Sequence, residues 1–148
     1  LTDHGSVARG ICAVEDEHLT HIVERKAIIR QGDGGAFTED GGATYTPLPG
    51  NTPVSMNFWG FGPEMLPLLD LNFREHLRAG MEADPLKYED LLPNAVQAAM
   101  ARGDASIRVL RSPDTWFGVT YKADKPQVVA SIAACKARGL YPEPLWQA

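Results

Sequence analysis

Ser112-Pro-Asp-Thr-Trp-Phe-Gly-Val-Thr-Tyr-Lys-Ala-Asp-Lys-Pro-Gln127 leads from an apolar strand into a capped helix through an aromatic, glycine-containing turn. The strand is Ser106 to Leu110, just upstream. Downstream, Asp124 with Gln127 three residues later makes a capping-box-like start, in which two side chains satisfy orphan backbone donors. Val128, Val129, Ile132 and Cys135 then supply an apolar stripe, and Gly139 ends the helix. A strand that hands over directly to an amphipathic helix is the unit of a layered α/β architecture.

The same alternation extends towards the amino terminus. Residues 7 to 14 and 19 to 24 read as two strands joined at the polar turn Glu15-Asp-Glu-His18, a hairpin. Residues 27 to 50 are punctuated by Gly32, Gly34, Gly35, Gly41, Gly42 and Gly50 between β-favouring pieces, which predicts a β-hairpin insertion or flap. Residues 53 to 61 are almost wholly apolar, the pattern of a central strand covered on both faces. A helix starting near Pro63 carries Met65, Leu66, Leu69, Phe73 and Leu77 and stops at Gly80. Another spans about 91 to 102, with Asp90 as N-cap and Gly103 past its end. The expected fold is α/β, a mixed sheet flanked by helices, in a single domain over residues 1–148.

Composition removes several classes of function. A chain of 148 residues can bury roughly 70% of its unfolded surface, enough for one real core. Hydrophobic content of 44% and charged content of 22% are ordinary, and no apolar run nears the roughly 20 residues of a membrane span. A net charge of -5 and pI near 5.3 argue against a nucleic-acid partner, which needs clustered Lys and Arg. Cys12 and Cys135 lack metal-ligand spacing and read as buried free thiols. His4, His18, His21 and His76 are scattered without metal-ligand spacing and read as exposed or core histidines. With no basic region followed by an apolar stretch at the start, a cytoplasmic setting is expected.

The Trp116-Phe-Gly118 turn resembles the closing catalytic segment of the sugar-1-phosphate nucleotidyltransferases, the nucleotide-sugar pyrophosphorylases. In that family a Trp-x-Asp-x-Gly-like turn brings a metal-binding carboxylate to the sugar-phosphate site; here Gly118 stands in the place of the Asp. The resemblance covers nearly the whole chain. Val7 to Arg25 is similar to the family's strand, turn and strand that ends in Glu-Lys, with Glu24 and Arg25 in those places. Pro53-Val-Ser-Met-Asn-Phe-Trp-Gly-Phe61 is similar to the strand whose Asn faces the sugar, with Asn57 in that position. Leu86-Lys-Tyr-Glu-Asp-Leu-Leu-Pro93 is similar to the Glu-containing approach to the penultimate helix, with Glu89 in place.

The family's Gly-x-Gly-x-Arg nucleotide loop does not occur in these residues, and Leu1 falls within what resembles the middle of the family fold. The resemblance therefore implies the carboxyl half of a Rossmann-like nucleotidyltransferase, a fragment that is inactive alone. Its partners would be a sugar 1-phosphate and a nucleotide, with Mg²⁺ on carboxylates of the intact parent enzyme. In that reaction a sugar-1-phosphate oxygen attacks the α-phosphorus of a nucleoside triphosphate and pyrophosphate leaves. The attacking phosphate is already ionised at neutral pH, so catalysis consists of positioning and charge neutralisation.

By resemblance Glu24 holds sugar hydroxyls, Arg25 grips the phosphate, and Gly10 lets backbone lie against the sugar. Each residue also has a plainer reading. Glu24 and Arg25 fit a solvated strand end, and Gly10 a β-bulge. Asn57 needs partners for its amide, from substrate or from backbone. Glu89 suits helix-start electrostatics. Trp116 packs either beside the site or in a core, and Asp114, two residues before it, is the nearest carboxylate that could replace the missing one. The alternative function is a non-catalytic module that binds a sugar phosphate or nucleotide sugar. A homo-oligomer is expected in either case, through sheet edges left without partners.

Overall fold

Pairing begins in a tight hairpin. In the computed structural model, β1 (Val7–Glu15) and β2 (His18–Gln31) are antiparallel, and only Asp16 and Glu17 separate them. Both turn residues are left-handed, with φ of 47° and 63°, as a hairpin whose twist matches its strands requires. Glutamate rarely adopts that conformation. Here its carboxylate is held 2.8 Å from Arg108 Nη2, and the Asp16 carbonyl accepts a 2.8 Å bond from His18 Nδ1. The structure describes residues 5–119, 121–142 and 144; His4 lies outside them.

β2 is long enough to have different neighbours on its outer edge. Its second half pairs with β3 (Gly34–Phe37), which pairs with β4 (Thr46–Leu48), giving the order β1-β2-β3-β4. Its first half is met by the 107–109 segment, through Leu19 N–H to Ile107 O at 2.9 Å and Val109 N–H to Glu17 O at 2.7 Å. Mid-strand, the Ile22 N–H donates instead to Gln97 Oε1 at 2.8 Å. The outer edge of β1 is met by the 53–55 segment, through Cys12 N–H to Pro53 O and Ser55 N–H to Gly10 O. The α/β class holds. Every ladder among the described strands is antiparallel, where a mixed sheet was expected.

Helices α1 (Met65–Ala83) and α2 (Leu92–Arg102) complete this first unit, which covers Ser6–Arg111. α2 packs on β2 and α1 packs on α2. The core gathers Leu19, Ile22, Met65, Val96 and Ala99, with Trp59, Phe61, Leu68 and Leu69 packed against it. The second unit takes in Gly5 and the described residues from Ser112 onward, and contains α3 (Lys125–Ala137), in which Cys135 is buried. α2 and α3 end alike: Gly103 and Gly139 take left-handed φ, and each following N–H reaches back to the carbonyl five residues before it.

Four expectations are corrected. The 53–61 run is an edge segment, with a single bridge from Val54 to Ile11, and Phe58 stands 95% exposed. Gly80 does not stop α1; it lets the Tyr88 ring lie where a side chain would stand. Asp90 does not cap α2, whose N-cap is Leu91; its carboxylate accepts from Asn72 Nδ2 at 3.3 and 3.2 Å. Asp124 reaches backwards, accepting the Tyr121 N–H at 2.7 Å, and Gln127 takes no part in that cap.

Candidate functional site

Two of the residues singled out in the sequence are paired, and a third lies on the segment that meets them. Gly10 pairs directly with Glu24 across the hairpin, and the Gly10 carbonyl accepts the Ser55 N–H at 2.8 Å. The ladder irregularities lie on either side of Gly10, between Val7 and Arg9 and between Ala13 and Val14, so Gly10 is not a bulge. What it provides is space: a Cβ there would stand 2.9 Å from Ile22 Cδ1 and 3.2 Å from Ser55 Cβ. A larger residue there would have to displace the Ile22 side chain and press on the 53–55 segment.

That segment then turns sharply. Asn57 has φ of 53°, a conformation asparagine tolerates better than most residues. Its N–H donates to Ser55 Oγ at 3.1 Å, and its Oδ1 accepts the Trp59 indole N–H at 3.2 Å. Trp59 in turn stacks on Phe61, with centroids 5.7 Å apart and rings within 13° of parallel. The amide is therefore exposed at a turn and oriented by an aromatic pair packed on the core. An amide buried in a central strand was expected.

Glu24 is half-buried, and loss of hydration pushes its carboxyl above the usual glutamate range, against the opposing pull of Arg9 and then Lys26. Burial opposes the charge of this carboxylate while two cations support it. Arg25 behaves differently. β2 runs on to Gln31, so adjacent side chains leave opposite faces, and Arg25 is ion-paired with Glu39 while its guanidinium lies 4.3 Å over the Phe37 ring. It fastens the flap to the strand.

Glu89 is exposed, and the inward carboxylate at that approach is the neighbouring Asp90. Trp116 belongs to the second unit and is 50% exposed. Its indole fills the space that a side chain at 118 would need, which gives Gly118 a packing reason of its own. Asp114 turns to its own loop, 3.2 Å from Ser112 Oγ. Among the described residues no three His, Cys, Asp or Glu side chains stand together as a metal would require. The donor set of the described residues does not fit Mg²⁺. Both cysteines are unpaired, Cys12 half-buried and Cys135 buried.

Two polar anchors escaped the sequence reading. Gln97 satisfies a strand N–H, and Asn72 is 1% exposed with its Oδ1 lacking a partner. Asn72 could have been found: it follows Met65 by seven residues and Leu69 by three, the spacing of the buried face. No helix among the described residues is long and apolar enough to cross a membrane. No protein-family model matches the chain, and none of the curated proteins matches it.

Proposed function

We propose that this chain supplies the sugar-phosphate side of a sugar-1-phosphate nucleotidyltransferase cleft. The observation that supports the reading is that Gly10 pairs with Glu24 across the β1–β2 hairpin and carries the 53–55 segment on its outer edge, two residues before the exposed turn at Asn57. The chemistry suits a sugar: a carboxylate accepts from hydroxyls, and an amide both donates and accepts. Lys26, whose charge reaches Glu24, is the cation for the phosphate on this reading, while Arg25 serves the flap and Arg9, paired with it across the hairpin, leaves the same face as Arg25.

In such a cleft the sugar phosphate would be held with its free oxygen towards the α-phosphorus of a nucleotide bound by other elements. A new P–O bond would form there, and the bond to the departing pyrophosphate would break. These residues contain no Gly-x-Gly-x-Arg loop, so the chain alone is expected to bind without turnover. A second reading, a non-catalytic sugar-phosphate binding module, is favoured by Gly118 in the metal-carboxylate position and by the absence of a clustered donor set among the described residues.

Calorimetric titration with a hexose 1-phosphate tests both. The wild-type chain should bind, and Glu24→Ala and Asn57→Ala should each weaken binding by about tenfold or more, about 1.4 kcal/mol. Binding that is absent, or unchanged in both variants with the fold intact, would refute the site. Pyrophosphate release by the purified chain with a nucleoside triphosphate present would overturn the claim that it does not turn over alone.

A further inference from the structure

Trp59 decides which end of the Asn57 amide is free. An indole N–H donates and never accepts, so the atom of Asn57 that meets Trp59 Nε1 at 3.2 Å is the oxygen. Without such a partner the χ2 torsion of an exposed asparagine is broad and roughly twofold, and either end of the amide can face a ligand.

The indole is itself held. Its ring stacks on Phe61, and both rings pack against the core of Leu19, Ile22, Met65, Val96 and Ala99. The turn is fixed from its other side by the Asn57 N–H, which donates to Ser55 Oγ at 3.1 Å while φ is 53°. Because the amide group is planar, holding its oxygen to the indole directs its nitrogen away. Among the described residues Asn57 Nδ2 makes no hydrogen bond, and Asn57 is exposed. Its N–H donors are therefore offered to solvent in one orientation, which lowers the ordering cost when a ligand arrives.

We infer that Trp59 is a positioning residue for the site proposed above: by holding Asn57 Oδ1 it makes position 57 a hydrogen-bond donor, and the site selects a ligand oxygen that accepts there. This rests on the sugar-phosphate reading and deepens it. A hydroxyl, ring or acyl oxygen of the sugar meets the condition. A protonated amino group in the same place carries only donors and is refused, since donor then faces donor.

A double-mutant cycle in the titration with a hexose 1-phosphate tests this, with circular dichroism as a check of fold. Trp59→Phe keeps a ring to stack on Phe61 and removes the N–H; it should weaken binding by about threefold or more, through lost pre-organisation. Asn57→Gly accepts the left-handed backbone and removes the amide. Adding Trp59→Phe to Asn57→Gly should then change binding no further, whereas a packing role for Trp59 would lower the affinity of both backgrounds alike. Asn57→Asp keeps the shape and the bond from the indole but turns an oxygen to the ligand, and should bind no better than Asn57→Gly. In the ligand-free chain the Trp59 indole N–H should exchange with solvent faster in Asn57→Gly than in wild type. Trp59→Phe or Asn57→Asp binding like wild type, additive losses in the cycle, or indole exchange indifferent to Asn57 would each overturn the inference and leave the sugar-phosphate reading in place. A wild type that binds no hexose 1-phosphate, or an Asn57→Gly chain that binds like wild type, would overturn both.

Discussion

Glu24 and Gly10 separate electrostatics from packing at paired positions. Burial raises the Glu24 carboxyl pKa, so the folded state holds that proton more tightly than the unfolded chain. A raised acid favours the fold below its unfolded value, and that advantage is lost as pH rises through the folded value. Glu24→Gln should therefore match wild type in acid and melt at a higher temperature at pH 7, as thermal unfolding across that range would show. Gly10→Ala should lose stability at every pH, by about 1–3 kcal/mol in urea unfolding, because Ile22 and Ser55 already fill the space. The sequence singled out these two residues, and Asn57 with them. Their surroundings were not: the Arg25 partner, Glu39, is fourteen residues away on a flap with no local signal for the pairing.

Elements followed local rules where those rules are strong. The turn of the β1–β2 hairpin and the carboxyl ends of α2 and α3 came out as read, since a polar turn and a left-handed glycine each act within a few residues, while β2 runs on to Gln31, past the expected end at 24. α1 did not, because its apolar residues fit two stripes at helical spacing and the sequence does not say which one meets the core. The 53–61 run failed for a related reason: unbroken apolarity fits an edge segment with an aromatic stack as well as a central strand. Gln97 shows how one helix secures the sheet, since its side chain satisfies a strand N–H that neither β3 nor the 107–109 segment reaches. Gln97→Ala should cost about 1–3 kcal/mol of stability in urea unfolding, the cost of leaving a buried donor unmet. The 38–44 loop depends on Asp40, whose carboxyl is held far below the usual carboxylate range by Thr44 first, and by Thr38.

At the scale of the whole molecule, Ser6–Arg111 closes a core among its own strands and helices, and the stretch from Arg111 to Val119 contains no helix or strand. Brief trypsin treatment should cut first at Arg111 and leave a fragment that still unfolds cooperatively; a fragment without that transition would show that the first unit depends on the second. The proposed reading is that sugar phosphate is held beside the Gly10–Glu24 pair and the turn at Asn57. Amide chemical-shift mapping by NMR during titration with a hexose 1-phosphate tests it most directly. The predicted result is a set of shifts centred on Gly10, Glu24, Ser55 and Asn57, with Arg9 and Lys26 at its margin. Shifts centred elsewhere, such as on the 108–111 segment, or no shifts at saturating ligand, would contradict it.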